Sequence, residues 1–414
     1  MNRALSPRAL LLVLTGLNLF NYLDRFVLAA VRTPMAAEFK VDYERSAQAF
    51  TMFMIGYFIT APFFGYLGDR CPRKWLIAVG IFVWSLGTLL TGMAQTFTAL
   101  LLFRVLVGLG EASYATISPS LISDVFPTER RNNALTVFYV AIPVGSALGY
   151  ILGGQMSAHF GWRNAFICAG APGLLLALIL LPFQEPKRGQ AEARNIDGEG
   201  KPSVRDVLQL FRLPDYNLVV WGYVAYTFAL GAFGFWGQSF LEKIHGMDTK
   251  LAGTYFGAAL VLAGLLGTFL GGLTATAWQR RSPAGYAWVL ALSVLAAVPI
   301  SLAAFLVPGK LAAFALLSIA MFLLFLSTGP VNTLILETVP FRLRSSAMAG
   351  SIFMIHMFGD IWSPQIVGHI ADHAGGDLRR GVLILPLALL ASATLWFALA
   401  WKTQWQRQTP VPRP

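Results

Sequence analysis

Apolar residues run along this chain in twelve blocks of about 20 residues or more, separated by short polar segments. The blocks cover approximately 9–32, 46–68, 75–95, 98–123, 133–156 and 163–182, then 214–240, 251–275, 285–306, 311–337, 345–371 and 381–401. About 20 helical residues cross a bilayer core at 1.5 Å rise each, so the pattern predicts twelve membrane-spanning helices. Spans one, four, seven, ten and eleven carry polar residues or many glycines, which suits faces turned toward protein or a watery cavity. The long polar connector at 183–213 contains EPKRGQAEARNIDGEGKPS and divides the spans six and six. The predicted organisation is a six-helix bundle at 1–182, a cytoplasmic linker at 183–213, and a second bundle with its tail at 214–414. Within the linker, VRDVLQLF at 204–211 has the pattern of a short amphipathic interfacial helix.

Composition strengthens this reading. Hydrophobic residues make up 56% of the chain and charged residues 12%, with a mean hydropathy of +0.62. A soluble domain carries roughly 25% charged residues, so lipid is the expected solvent for the lateral surface. The net charge of +11 sits mostly in connectors, which fits membrane topology and anionic lipid headgroups better than nucleic acid. With the N-terminus placed in the cytoplasm, 20 basic residues fall on that side and nine on the other. Both termini are therefore expected inside, after an even number of crossings. The basic lead and apolar run at the start resemble a signal peptide, but the run passes Leu28–Ala30 with no polar cleavage region. A retained first span is expected. Cys71 and Cys168 show neither a disulfide framework nor metal-ligand spacing.

The two halves repeat each other weakly. GYLGDRCPRK at 65–74 corresponds to GLTATAWQRR at 272–281, and DVFPTERRNNAL at 124–135 to ETVPFRLRSSAM at 337–348. Two pairs in the same order indicate duplicated six-helix units, the plan of transporters whose solute path lies between repeats. Asp69 corresponds to Thr276, so a charged latch at this loop is expected in the first half alone.

The loop residues Gly65, Asp69, Arg70, Arg73 and Lys74 resemble the major facilitator superfamily signature between its second and third helices, with Pro72 where glycine is commoner. NYLDRF at 21–26, RVLVGLGEASYATISPSLISDVFPTERR at 104–131 and HMFGDIWSPQIVG at 356–368 resemble the spinster branch. The resemblance covers nearly the whole chain. It implies an all-α fold of two pseudo-symmetric bundles, with spans one, four, seven and ten lining a central cavity. It also implies cargo such as lysophospholipids or sphingosine-type lipids; a bacterial inner membrane is the expected location.

Charges inside the first bundle are the candidate engine. Asn18, Asn21, Tyr22 and Arg25 recur at three- and four-residue steps on span one, with Asp24 beside them; this face is expected to meet the cavity. Arg104 and Glu111 on span four lie about 10.5 Å apart along the helix, on one face but beyond direct contact. Arg104 is placed to reach Asp24, another acceptor on span one or an anionic solute, and Gly108 and Gly110 let Glu111 approach a neighbouring helix. An internal Asp24–arginine pair is the structural alternative. The resemblance assigns proton coupling to Asp24 and Glu111, and solute or gating contacts to Arg25 and Arg104. A carboxylate is costly in an occluded, low-dielectric site and can become neutral there, loosening any arginine pair. In the loop, Asp69 is expected to accept bonds from a neighbouring helix end while a base pairs across the bundle interface.

In the second bundle, Tyr223, Tyr226, Phe233, Phe235, Trp236 and Gln238 suit either an amphipathic cargo or ordinary packing. Asn332 and its neighbours offer neutral hydrogen bonds, and Glu337 is expected to pair with Arg342 or Arg344. His356 and Asp360, four residues apart, can share a face, with aspartate orienting histidine or forming part of a gate. No activated nucleophile or metal cluster is present at convincing spacing, which disfavours a membrane-embedded enzyme. The reading is proton-coupled transport of a lysolipid, sphingoid lipid or related amphipathic solute by a monomer without a bound cofactor. A multidrug, sugar or organic-anion carrier of the same superfamily is the alternative.

Overall fold

A computed structural model describes residues 3–4, 6–180, 183–186, 209–339 and 343–408. Each of the twelve apolar blocks forms a helix or a pair of helical segments. The first six are α1 (Pro7–Phe39), α2 (Tyr43–Arg70), α3 (Arg73–Met93), α4 (Phe97–Val125), α5 (Thr128–Phe160) and α6 (Trp162–Leu180). Then follow α7 (Pro214–His245), α8 (Thr249–Gln279) and α9 (Gly285–Leu306). The last three blocks are broken: α10 (Lys310–Phe325) with α11 (Thr328–Glu337); α12 (Arg344–Ile355) with α13 (Ser363–His373); and α14 (Leu378–Val382) with α15 (Ile384–Gln408). Among the described residues, ten helices are long and apolar enough to cross a membrane. The other two blocks are the shorter apolar helix at Trp162–Leu178 and the interrupted pair α12–α13.

Helix ends overrun the apolar blocks because capping, rather than hydropathy, stops them. Ser6 accepts from the Ala9 amide at 3.3 Å ahead of Pro7, and Asp42 accepts from Arg45 at 2.8 Å to start α2. Thr96 caps α4 in the same way, at 3.2 Å. Lys40 in the left-handed region ends α1, while Gly161 and Gly246 at positive φ end α5 and α7. Prolines at 34, 62, 119, 143, 172 and 299 lie inside helices without ending them, as membrane helices tolerate where neighbours re-satisfy freed carbonyls.

The chain divides into two compact units, residues 1–197 with 247–261, and 198–246 with 262–414. The first unit therefore also contains the start of α8, which had been assigned with the second bundle. In this unit α1 packs on α5, α2 on α4, and α3 on both α4 and α6. The α1–α5 seam is a glycine ridge. A Cβ at Gly145 or Gly149 would lie 2.5 Å from the Leu19 or Leu23 carbonyl oxygen, and one at Gly153 2.7 Å from the Ala30 methyl. Such small-residue spacing lets two backbones meet directly. Along α5, Tyr150 stacks edge-on against Phe256 and Gln155 donates to Thr254 at 3.1 Å. One feature departs from the all-helical expectation: a two-residue strand β1 (Arg3–Ala4) pairs in parallel with β2 (Phe183–Gln184).

In the second unit α15 packs on α7 and α9, and α9 on α10. Trp396 donates to the Val219 carbonyl at 3.1 Å and Lys402 pairs with Asp215 at 2.7 Å, fixing α15 to α7. Large apolar side chains such as Ile59, Leu102, Phe269 and Leu387 stand exposed on the helix surfaces, as suits a chain whose spans lie in lipid. The predicted interfacial helix at 204–211 falls almost wholly outside the described residues, as does most of the linker.

Candidate functional site

Four charged side chains gather inside the first unit. The helix that delivers Glu111 is wedged between two others by glycine. A Cβ at Gly108 would lie 2.7 Å from the Tyr57 amide of α2, and one at Gly110 2.6 Å from the Gly80 carbonyl oxygen of α3. This close packing leaves Glu111 with no exposed surface, so its charge needs an internal partner. Arg25 of α1 supplies it. Its Nη2 donates to Glu111 Oε2 at 2.7 Å and its Nε to the same oxygen at 3.2 Å. The guanidinium is held against the rings of Tyr22, Phe53 and Tyr57, 4.8, 4.9 and 5.3 Å from their centroids.

Asp24 turns a different way. It is buried, and Thr88 of α3 donates its hydroxyl to Asp24 Oδ2. Its other oxygen, Oδ1, has no hydrogen-bond partner among the described residues. Arg104, also buried, lies over Phe53 and Phe166 at 5.6 and 5.8 Å. Its Nε and Nη1 have no hydrogen-bond partner among the described residues. Of the three partners open to Arg104, Asp24 is not hydrogen-bonded to it among the described residues; the bonds formed are Arg25–Glu111 and Thr88–Asp24. The quartet of Asp24, Arg25, Arg104 and Glu111 carries no net formal charge when all four are ionised, so one proton changes its balance by a full unit.

Not every polar residue on the predicted stripe belongs to this group. Asn21 is buried and half-buried Tyr22 lies beside Arg25, but Asn18 donates to the Phe138 carbonyl at 3.0 Å. That bond ties α1 to α5, so a buried packing contact, not a cavity face, occupies its amide. Tyr226 is corrected in the same sense: it is buried and donates to the Leu324 carbonyl at 2.9 Å, where α10 ends. Asn332 donates to the Thr328 carbonyl one turn back, at 2.9 Å. His356 and Asp360 do come together, with Nδ1 at 2.9 and 3.1 Å from the two carboxylate oxygens. They span a single π-helical turn, His356–Asp360, between α12 and α13. There α7 approaches closely: a Cβ on Gly231 would lie 2.5 Å from Asp360 Cβ. Trp236 also donates to Pro364 at 2.9 Å, so this aromatic packs within its own unit.

At the loop between α2 and α3, the basic residue works within the first unit. Arg73 is buried and donates to Asp124 at the end of α4, to Ser120 at 3.4 Å, and to Glu185 at 3.1 Å. The Lys74 amide donates to the second Glu185 oxygen at 3.2 Å. Arg73 is therefore an internal clasp on α4 and the segment after α6, where pairing across the bundles was expected. Gly65 is half-buried and Arg70 exposed. The Asp69 side chain lies outside the described residues, as do Arg342 and the Arg344 side chain proposed for Glu337. Among the described residues there is no cluster of three or more metal-ligating side chains, and neither cysteine is in a disulfide.

The fold and its buried charges define a transporter class. Residues 14–364 match the Major Facilitator Superfamily. Protein spinster of Drosophila melanogaster is 36% identical over 87% of this chain, which spans 61% of that protein's length. Protein spinster homolog 1 of Xenopus tropicalis is 34% identical over 94% of this chain and 76% of its own. The sphingosine-1-phosphate transporter SPNS2 of Danio rerio is 34% identical, covering 86% of this chain and 74% of its own. A crystal structure of a bacterial homolog of the human lysosomal transporter spinster, inward-facing and unoccupied, superposes with a TM-score of 0.86 at 25% identity, over 98% and 99% of the two chains. The nucleoside transporter NupG shares the fold alone, with a TM-score of 0.69 at 17% identity over 94% and 98% of the chains. This chain belongs to the spinster family of major facilitator transporters: it is a multi-pass membrane transporter and not an enzyme.

Proposed function

We propose that the protein moves a lysolipid, sphingoid lipid or related amphipathic solute by alternating access coupled to protons, with Asp24 and Glu111 as the coupling carboxylates. The observation that carries this reading is the fully buried Glu111 paired to Arg25 beside buried Asp24, inside spans of a spinster-family transporter. Ionisable groups at membrane depth are costly and are retained where they serve ion or solute pathways. Protonating Glu111 removes the charge that holds Arg25, leaving the guanidinium to the three aromatic rings and to any anionic group entering beside it. Arg104, with two donors not engaged by protein, suits an anionic headgroup. The relative named as a sphingosine-1-phosphate transporter supports the cargo class.

The same proposal has the protein act as a monomer in a bacterial inner membrane, with both termini in the cytoplasm. The pairing of β1 with β2 supports one part of this topology, that the segment before α1 and the segment after α6 lie on the same side. Reconstitution into sealed liposomes tests the function. Lysolipids and sphingoid bases are offered under imposed proton gradients, and gradient-dependent movement of at least one class is expected. Movement that ignores the gradient removes the coupling, and no movement across the panel removes the cargo class.

A further inference from the structure

We infer that Thr88 is a positioning residue for proton coupling: its hydroxyl holds Asp24 in one geometry in both charge states, so that Asp24 takes and gives a proton without leaving α3. The inference rests on the coupling role proposed above for Asp24. It begins from an asymmetry between the two buried carboxylates. Glu111 is held by a guanidinium, which can only donate; that bond requires an acceptor oxygen and is weakened once the carboxylate is neutral. Asp24 is held by a hydroxyl, which both donates and accepts. Thr88 has no exposed surface, and its hydroxyl makes the one hydrogen bond found to this carboxylate among the described residues.

The proton balance is simple. With Asp24 ionised, Thr88 donates O–H to Oδ2. When a proton arrives on Oδ2, Asp24 becomes the donor, Thr88 Oγ1 the acceptor, and the threonine hydrogen turns to a carbonyl of its own preceding turn. Helical threonines commonly make that back-bond, and Thr91, on the same helix, makes it to Gly87 at 2.7 Å. No bond partner is lost in either state. The charged and titratable groups facing Asp24 are Arg25 on its own helix and Arg104 and Glu111 on α4, while α3 contributes the neutral Thr88. Tyr22 and Tyr57 face Arg25 in turn. Thr88 is thus the contact to Asp24 that a change of charge does not break, and the Arg25–Glu111 pair is the one that responds.

The test needs no identified solute. Infrared difference spectra of the protein in liposomes are titrated with pH, and the carboxylic C=O band that disappears in Asp24→Asn is followed. Thr88→Val, nearly isosteric, and Thr88→Ala, smaller, both remove the donor that favours the ionised form. Each is expected to move the midpoint of that band up by about one pH unit, and to shift the band to the frequency of a non-hydrogen-bonded acid. Thr88→Ser, which restores the hydroxyl, is expected to stay within ~0.3 pH unit of the parent. A change of packing alone would alter thermal stability in all three variants without tracking the hydroxyl. A parent band whose midpoint neither hydroxyl-less variant moves overturns this inference alone. A parent protein with no Asp24 band at any pH overturns the coupling role on which it rests, and this inference with it.

Discussion

Replacing Arg25 by methionine strands the Glu111 carboxylate in a site with no exposed surface. The two bonds lost, at 2.7 and 3.2 Å, end on one oxygen, so the charge left behind has lost both of its guanidinium donors. Removing one partner of a buried pair costs about 3–5 kcal/mol, chiefly through the uncompensated charge. Each aromatic contact to the guanidinium contributes a further ~0.5–2 kcal/mol, rising with desolvation. Glu111→Gln should cost less, because Arg25 keeps those rings and is 14% exposed. In the double variant no charge is stranded, and its stability should return to within about 1–2 kcal/mol of the parent. The cycle then yields a coupling energy of at least about 2 kcal/mol, opposite in sign to additive losses. Denaturant titration in detergent micelles, read by tryptophan fluorescence, measures it. Single losses that add to within about 0.5 kcal/mol would refute the argument that charge pairing, rather than shape, holds Glu111 in place.

The α1–α5 ridge makes a sharper steric prediction. Gly149→Leu should abolish monodisperse expression or lower thermal stability severely, whereas Gly272→Leu, with no atom within 4 Å of the new Cβ, should be tolerated; equal behaviour in size-exclusion and melting assays would contradict the packing. Arg73→Ala removes the clasp on Asp124 and Glu185 and should cost about 2–4 kcal/mol by the same titration, more than Glu185→Gln, whose side chain is partly solvated. Tyr226→Phe removes one buried hydrogen bond to the Leu324 carbonyl and should cost about 1 kcal/mol, with solute KM in liposome uptake unchanged. A large KM change with unaltered stability would return Tyr226 to the solute path.

The spans and the four buried charges were legible because a charge inside an apolar block is conspicuous and its burial must be compensated. Their pairing was not. Asp24 and Arg25 are adjacent and so point about 100° apart on α1, and a modest rotation of that helix decides which of them meets Glu111. Seven-residue spacing correctly kept Arg104 from Glu111 but could not rotate α1. Thr88 left no signal, since a threonine in an apolar span ordinarily bonds its own helix, as Thr91 does. Asn18 and Tyr226 illustrate the converse: polar atoms in apolar spans are equally well satisfied by a neighbouring helix's carbonyl as by solute, and one-dimensional periodicity does not separate the two. The break at 326–327 leaves no hydropathy signal, because the apolar span Lys310–Glu337 runs through it. Arg73 was recognised as special by its spacing, but its partners lie 51 and 112 residues away.

The small ladder between Arg3–Ala4 and Phe183–Gln184 bears on how the chain is made. Its two strands are separated by six spans, so β1 finds its partner only after roughly 180 further residues have been synthesised. Until then β1 has no ladder to join, and its docking marks the moment when α1 to α6 have all been made. A bulky reporter placed directly ahead of Arg3 would therefore sit on a seam of assembly, whereas one placed after α15 follows all of the helices described above.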